Sequence, residues 1–81
     1  MTVFFLKRAE VCSRMGWARS TLYDKINAGL FPAAIRNGKR SAVWPDNEVS
    51  AIQTAIIKGA SSNQVRELVA ELTNARGTYY A

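Results

Sequence analysis

The chain has 81 residues, eleven lysines and arginines against six acids, a formal charge of +5, one cysteine and no histidine. That length holds a single domain, residues 1–81, close to the lower size at which a hydrophobic core persists unaided. A lone Cys12 excludes an internal disulfide, and without histidine the usual metal sites and activated nucleophiles cannot be built, so no enzyme, metal or cofactor is expected.

At the N-terminus, the apolar run Val3-Phe4-Phe5-Leu6 is far too short to span a bilayer, and nothing there resembles a signal peptide. A cytoplasmic protein with no membrane partner is expected. Residues 7–14 read as a first short helix, with Lys7 in the cap position and Glu10 placed to face the N-terminal amides. Gly16 supplies a tight turn, since glycine alone enters positive φ at little cost. Trp17 follows as an apolar plug, and Cys12 reads as a small buried filler.

The second helix runs from about Ala18 to Ala28, with Ala18, Leu22 and Ile26 as its apolar stripe. Helical rotation puts Ser20, Tyr23, Asp24 and Asn27 on the opposite side, with Arg19 and Thr21 flanking. Gly29 is the expected left-handed stop and Pro32 forbids continuation. In "AAIRNGKRSAVW", Asn37-Gly38 signals a two-residue hairpin turn, giving a small two-stranded ribbon that leans on the helices through Ile35 and Trp44.

A third helix follows from Pro45, opened by Asp46 and Glu48 where the dipole favours acids, with Val49, Ile52 and Ile56 as its buried stripe and Gly59 as its end. A fourth spans about residues 62–76. Ser61 and Gln64 match a capping box, Val65, Leu68, Val69 and Leu72 fit one helical face, and Gly77 closes it. The domain core is expected over about residues 5–59. The stripe of the fourth helix either completes that core or forms a partner surface of Val65, Leu68 and Leu72.

Charge is unevenly spread. Residues 1–44 carry eight basic and two acidic side chains, whereas residues 45–81 carry three and four, so one end is suited to a polyanion. Two short helices joined by a glycine turn, the second polar outside, form the helix-turn-helix pattern, although an ordinary αα-hairpin with a solvated face has the same spacing. A helix fits the major groove of B-DNA, where base edges expose distinct donors and acceptors. Arg19, Ser20, Tyr23, Asp24 and Asn27 are the outward residues, with Thr21 and Lys25 beside them. Arg36, Lys39 and Arg40 around Asn37-Gly38, together with Ser41, make a positive finger suited to phosphates or a narrow minor groove. Asp24 is expected to pair with a neighbouring cation, because a lone carboxylate near phosphates is costly. Trp17 and Trp44 are read as core plugs, not stacking platforms.

The stretch "LKRAEVCSRMGWARSTLYDKINAGLFPAAIRNGKRSAVWPDNEV" resembles the AlpA family of prophage-type regulators, related to MerR-like DNA-binding domains and to many excisionases. The resemblance covers about residues 5 to 57 and is most specific in "RSTLYDKINAGLFP" and "GKRSAVW". It implies a mainly α fold with a small β-hairpin, a winged helix-turn-helix, to which the capping box and periodicity of residues 61–77 add a C-terminal helix beyond the resemblance. It also implies that Arg19, Ser20, Thr21 and Tyr23 lie on the groove-reading helix, that Arg40 and Ser41 lie on the wing, and that Trp44 anchors the wing. Lys7 and Ala18 stand where the family usually has Ser or Thr caps, which should weaken each helix start by about 1 kcal/mol. Val43 replaces an Arg that commonly precedes the tryptophan.

By this resemblance the chain is expected to be a nucleoid-associated excisionase, or recombination directionality factor, of a prophage or genomic island. It would bind and bend attachment-site DNA, self-associate there and assist an integrase. The alternatives are a transcriptional regulator of an integrase or other prophage gene and, in another class, a protein-interaction module using the C-terminal helix.

Overall fold

The apolar run at the N-terminus finds its partner far along the chain, where Phe5, Leu6 and Lys7 pair antiparallel with Pro45, Trp44 and Val43. This computed structural model describes residues 4–36 and 42–79, with the backbone alone for 77–79. Strand β1 (Phe5–Lys7) leads into α1 (Arg8–Met15) and α2 (Arg19–Asn27). Strands β2 (Ile35–Arg36) and β3 (Ala42–Pro45) follow, then α3 (Asp46–Ile57) and α4 (Ser62–Tyr79). The sheet is antiparallel and three-stranded in the order β1-β3-β2, one strand more than the ribbon expected from sequence. A strand of three residues has no local signature strong enough to announce it, and its ladder forms only when β3 returns beside it.

The hairpin register also differs from the expected turn. Arg36 pairs with Ala42 and Ile35 with Val43, so five residues separate the paired ends. A two-residue turn over Asn37-Gly38 would have paired Arg36 with Lys39. Asn37, Gly38, Lys39, Arg40 and Ser41 themselves lie outside the described residues.

Helix ends follow the local chemistry. Gly16 sits at φ 71° and closes α1, letting the Trp17 amide reach the Cys12 carbonyl at 3.0 Å. Lys7 and Ala18 are extended N-cap residues without side-chain caps, as their identities imply. At α1 the Glu10 carboxylate compensates by accepting from the Lys7 amide at 3.0 Å. At α4 the capping box forms in both directions, Ser61 N to Gln64 Oε1 at 2.8 Å and Gln64 N to Ser61 Oγ at 3.2 Å. Gly77 does not stop α4, which runs on to Tyr79. A glycine inside a helix costs only about 1 kcal/mol and terminates it only where a left-handed turn is needed.

Val11, Leu22, Phe31, Trp44, Val49, Ile52 and Val65 form one core, drawn from five of the elements and the loop after α2. Edge-to-face contact links Trp17 to Phe31 at 5.4 Å between centroids, and Phe31 meets Trp44 at 6.4 Å. The Trp44 indole donates to the Pro32 carbonyl at 2.9 Å, which satisfies its polar edge inside the core. Both tryptophans pack against the core, and Cys12 is half-buried beside it.

Two apolar positions fall outside the stripes assigned to them. Ala18 is exposed at the head of α2. Ile56 is 49% exposed and Ile57 83%, since α3 projects past the core at its C-terminal end. Val65 is buried at 6% exposure, and Leu68, Val69 and Leu72 pack partly buried against the same core, so this stripe is not a free face for a partner. No helix among the described residues is long and apolar enough to cross a membrane.

Candidate nucleic-acid interface

Helix α2 is held by its ends and its inner face. The turn at Gly16 sets its entry, and Leu22 and Ile26 seat it on the core. At its exit Gly29 takes φ 77°, and Leu30 N reaches the Lys25 carbonyl at 2.8 Å. Arg66 of α4 then donates through Nε to the Ala28 carbonyl at 2.9 Å, so the last turn of α2 is tied to α4. A helix clamped in this way presents its outer side chains from a rigid base.

That outer side carries Ser20, Tyr23, Asp24 and Asn27, all exposed, with Arg19 exposed at the helix start and Thr21 half-buried. Lys25 belongs to another surface: its ammonium lies 5.8 Å from the Trp17 ring centroid, on the flank turned toward Leu30 and Ile56. The ion pair expected for Asp24 is not found among the described residues, whose one salt bridge joins Arg76 to Glu48.

Arg8, which in the sequence is only one more positive charge, completes the face. From the first turn of α1 it donates through Nη1 to the Tyr23 hydroxyl at 2.6 Å, with its guanidinium 6.0 Å from the ring centroid. Fifteen residues separate the two, and no periodicity relates them, so only the helix crossing reveals the pair. The Arg8 hydrogen bond lowers the Tyr23 phenol from its ordinary value of 10.0, and the charges of Arg8 and Arg19 act in the same direction.

Beside this pair, a groove of about 340 Å³ separates α2 from the base of the hairpin, bordered by Arg8, Tyr23, Ile26, Arg36, Ala42 and Trp44. Arg36 of β2 thus faces the same space as Tyr23 of α2. The remaining wing residues, Asn37 to Ser41, lie outside the described residues.

Other arginines serve the fold. Arg14 bonds Ser50 at 2.9 Å and Gln53 at 3.0 Å, and Arg76 holds Glu48 and the Ala33 carbonyl. With these set aside, Arg8, Arg19 and Arg36 are the described arginines that lie on α2 or border the groove beside it. Among the described residues no group of acidic, cysteine or histidine side chains could hold a metal ion.

The family described as prophage CP4-57 regulatory protein (AlpA) matches residues 4–53, from the N-terminal strand well into α3. An uncharacterised protein, ORF88, of Enterobacteria phage P4 is 36% identical over 55 residues, 68% of this chain. That match spans 62% of the length of the phage protein. No solved structure gives a significant match.

Proposed function

We propose, because this chain belongs to the AlpA family of prophage regulatory, DNA-binding proteins, that it reads duplex DNA with the outer face of α2 and regulates a bacterial mobile element. One observation carries the reading. Ser20, Tyr23, Asp24 and Asn27 are exposed together, Arg8 and Arg19 flank them, and Arg36 faces the groove alongside. In the major groove, Ser20 and Asn27 would offer donors and acceptors to base edges, and Asp24, which has no ion-pair partner among the described residues, would accept from a cytosine amine. Arg36, Lys39, Arg40 and Ser41, on the hairpin with Asn37-Gly38, would grip the flanking backbone or minor groove.

Within the element, the chain would act in the bacterial cytoplasm as an excisionase. Several copies would bind neighbouring sites at the attachment DNA, bend it and help an integrase assemble the excision complex. The role is architectural, since the cost of bending is met by the contacts that the bend permits. A second reading, a transcriptional regulator of an integrase or other prophage gene, is favoured by the family's description as a regulatory protein.

Footprinting on the element's own attachment region, with and without integrase, tests the first reading. It predicts protected sites there whose occupancy changes with integrase. In a strain lacking the gene, excision should collapse even when integrase is supplied from an independent promoter. Normal excision with a fallen integrase transcript would instead establish the regulator.

A further inference from the structure

The groove between α2 and the hairpin base has a composition of its own. Its charged groups are two guanidiniums, Arg8 and Arg36, and no acidic side chain among the described residues borders it. One wall is made of small apolar residues, Ala33, Ala34 and Ala42. At its rim the Tyr23 oxygen already accepts from Arg8 at 2.6 Å, so the hydroxyl proton is free to point away from Arg8, toward an acceptor. No acceptor for it exists among the described residues.

We propose that this groove seats one phosphodiester of the duplex backbone, with Arg8 and Arg36 as paired cations and the Tyr23 hydroxyl as a third donor. Guanidiniums match phosphate oxygens with forked donors, and a phenol polarised by an arginine is a strengthened donor. The alanine wall suits the adjoining deoxyribose, which is apolar on its faces and would clash with larger side chains. The seat rests on the reading of the chain as a duplex-binding protein, and it gives that reading a register: one phosphate is fixed between the helix in the major groove and the hairpin beside it.

The test uses the full chain and two duplexes, one carrying the footprinted site and one scrambled, with affinity followed over a salt series. Arg8→Ala and Arg36→Ala should each flatten the slope of log affinity against log salt by about one and weaken both duplexes equally, by about tenfold. Tyr23→Phe should weaken both duplexes while leaving the slope unchanged, because it removes a donor and no charge. Matched thermal unfolding of the three variants ensures that the native fold is being compared. An unaltered slope in the two arginine variants, or a loss confined to the site-bearing duplex, overturns the seat.

A second arm follows the Tyr23 ring resonances as inorganic phosphate is added. Shifts that vanish in Arg8→Ala and Arg36→Ala support the seat. If the wild type shows these shifts yet binds no duplex, the DNA reading fails and the seat belongs to a free phosphate ester. If it shows neither, both are overturned.

Discussion

Arg76 reaches back from α4 to grip Glu48 at the start of α3, with Nη2 2.7 Å and Nε 3.0 Å from the two carboxylate oxygens. The carboxylate is nearly enclosed, at 2% exposure, and the same guanidinium donates to the Ala33 carbonyl at 3.0 Å. A segment beyond the family match thus supplies the counter-charge for a residue within it.

Removing Arg76 leaves that buried carboxylate unpaired. Arg76→Ala should destabilise the domain by about 3–5 kcal/mol, whereas pairing Arg76→Met with Glu48→Leu should recover most of the loss. Denaturant unfolding of Arg76→Met, Glu48→Leu and the double variant beside the wild type measures the coupling.

Cutting the chain after Gly59 removes Val65, Leu68 and Leu72 from the core and Arg76 from Glu48. The fragment should fail to unfold cooperatively by circular dichroism. A folded fragment that still binds DNA would show that α4 is dispensable to the domain.

Ala18 occupies an extended N-cap, at φ −73° and ψ 160°, with no side chain to receive the amides of α2. Ala18→Ser should therefore stabilise the protein by about 1 kcal/mol. In a domain of this size that is a rise in Tm of roughly 4–8 °C, readable by thermal melting.

The Tyr23 phenol, lowered chiefly by its hydrogen bond from Arg8, should ionise below its ordinary value in an alkaline titration followed by ultraviolet absorbance. Arg8→Ala should return it toward 10.0, and Tyr23→Phe should abolish the step. Because the native value lies below the unfolded one, ionisation favours the native state, and that contribution is complete above the unfolded value. It is lost as pH falls through the native value, so at neutral pH it adds nothing to stability. DNA affinity moves oppositely: it should weaken as pH climbs through the lowered value, since a phenolate repels phosphate.

Arg19→Ala should cost about 1–3 kcal/mol of DNA affinity, and Arg40→Ala a similar amount. Gel-shift titration checks both. An Arg19→Ala protein that footprints like wild type counts directly against α2 as the reading helix.

Features governed by short-range chemistry are legible in the sequence alone. Gly16 and Gly29 mark the limits of α2 because only glycine takes positive φ cheaply. Ser61 and Gln64 announce the start of α4 because the capping partners lie three residues apart. Helical spacing also identifies Ser20, Tyr23, Asp24 and Asn27 as one outward face, and bulk marks Trp44 as a core residue.

What the chain's return to itself decides is not legible there. Three-residue β1 becomes a strand only when β3 arrives beside it, and the pairing of Arg36 with Ala42 instead of Lys39 is likewise set by the strands and not by the Asn37-Gly38 signal. Ile56 obeys the periodicity of α3 and is still exposed, because periodicity names a face and not the extent of what covers it. The arginines divide in the same way. Arg8 borders the outer face of α2, while Arg14, Arg66 and Arg76 are tied by hydrogen bonds to other elements of the protein. Each takes its role from a partner 15 to 43 residues distant that no local rule could specify. Local sequence determined which segments are helices and which way they are polar. Only tertiary contact decided which charges remain open to an external anion, because a guanidinium bonded to the protein's own oxygens has fewer donors left to offer one.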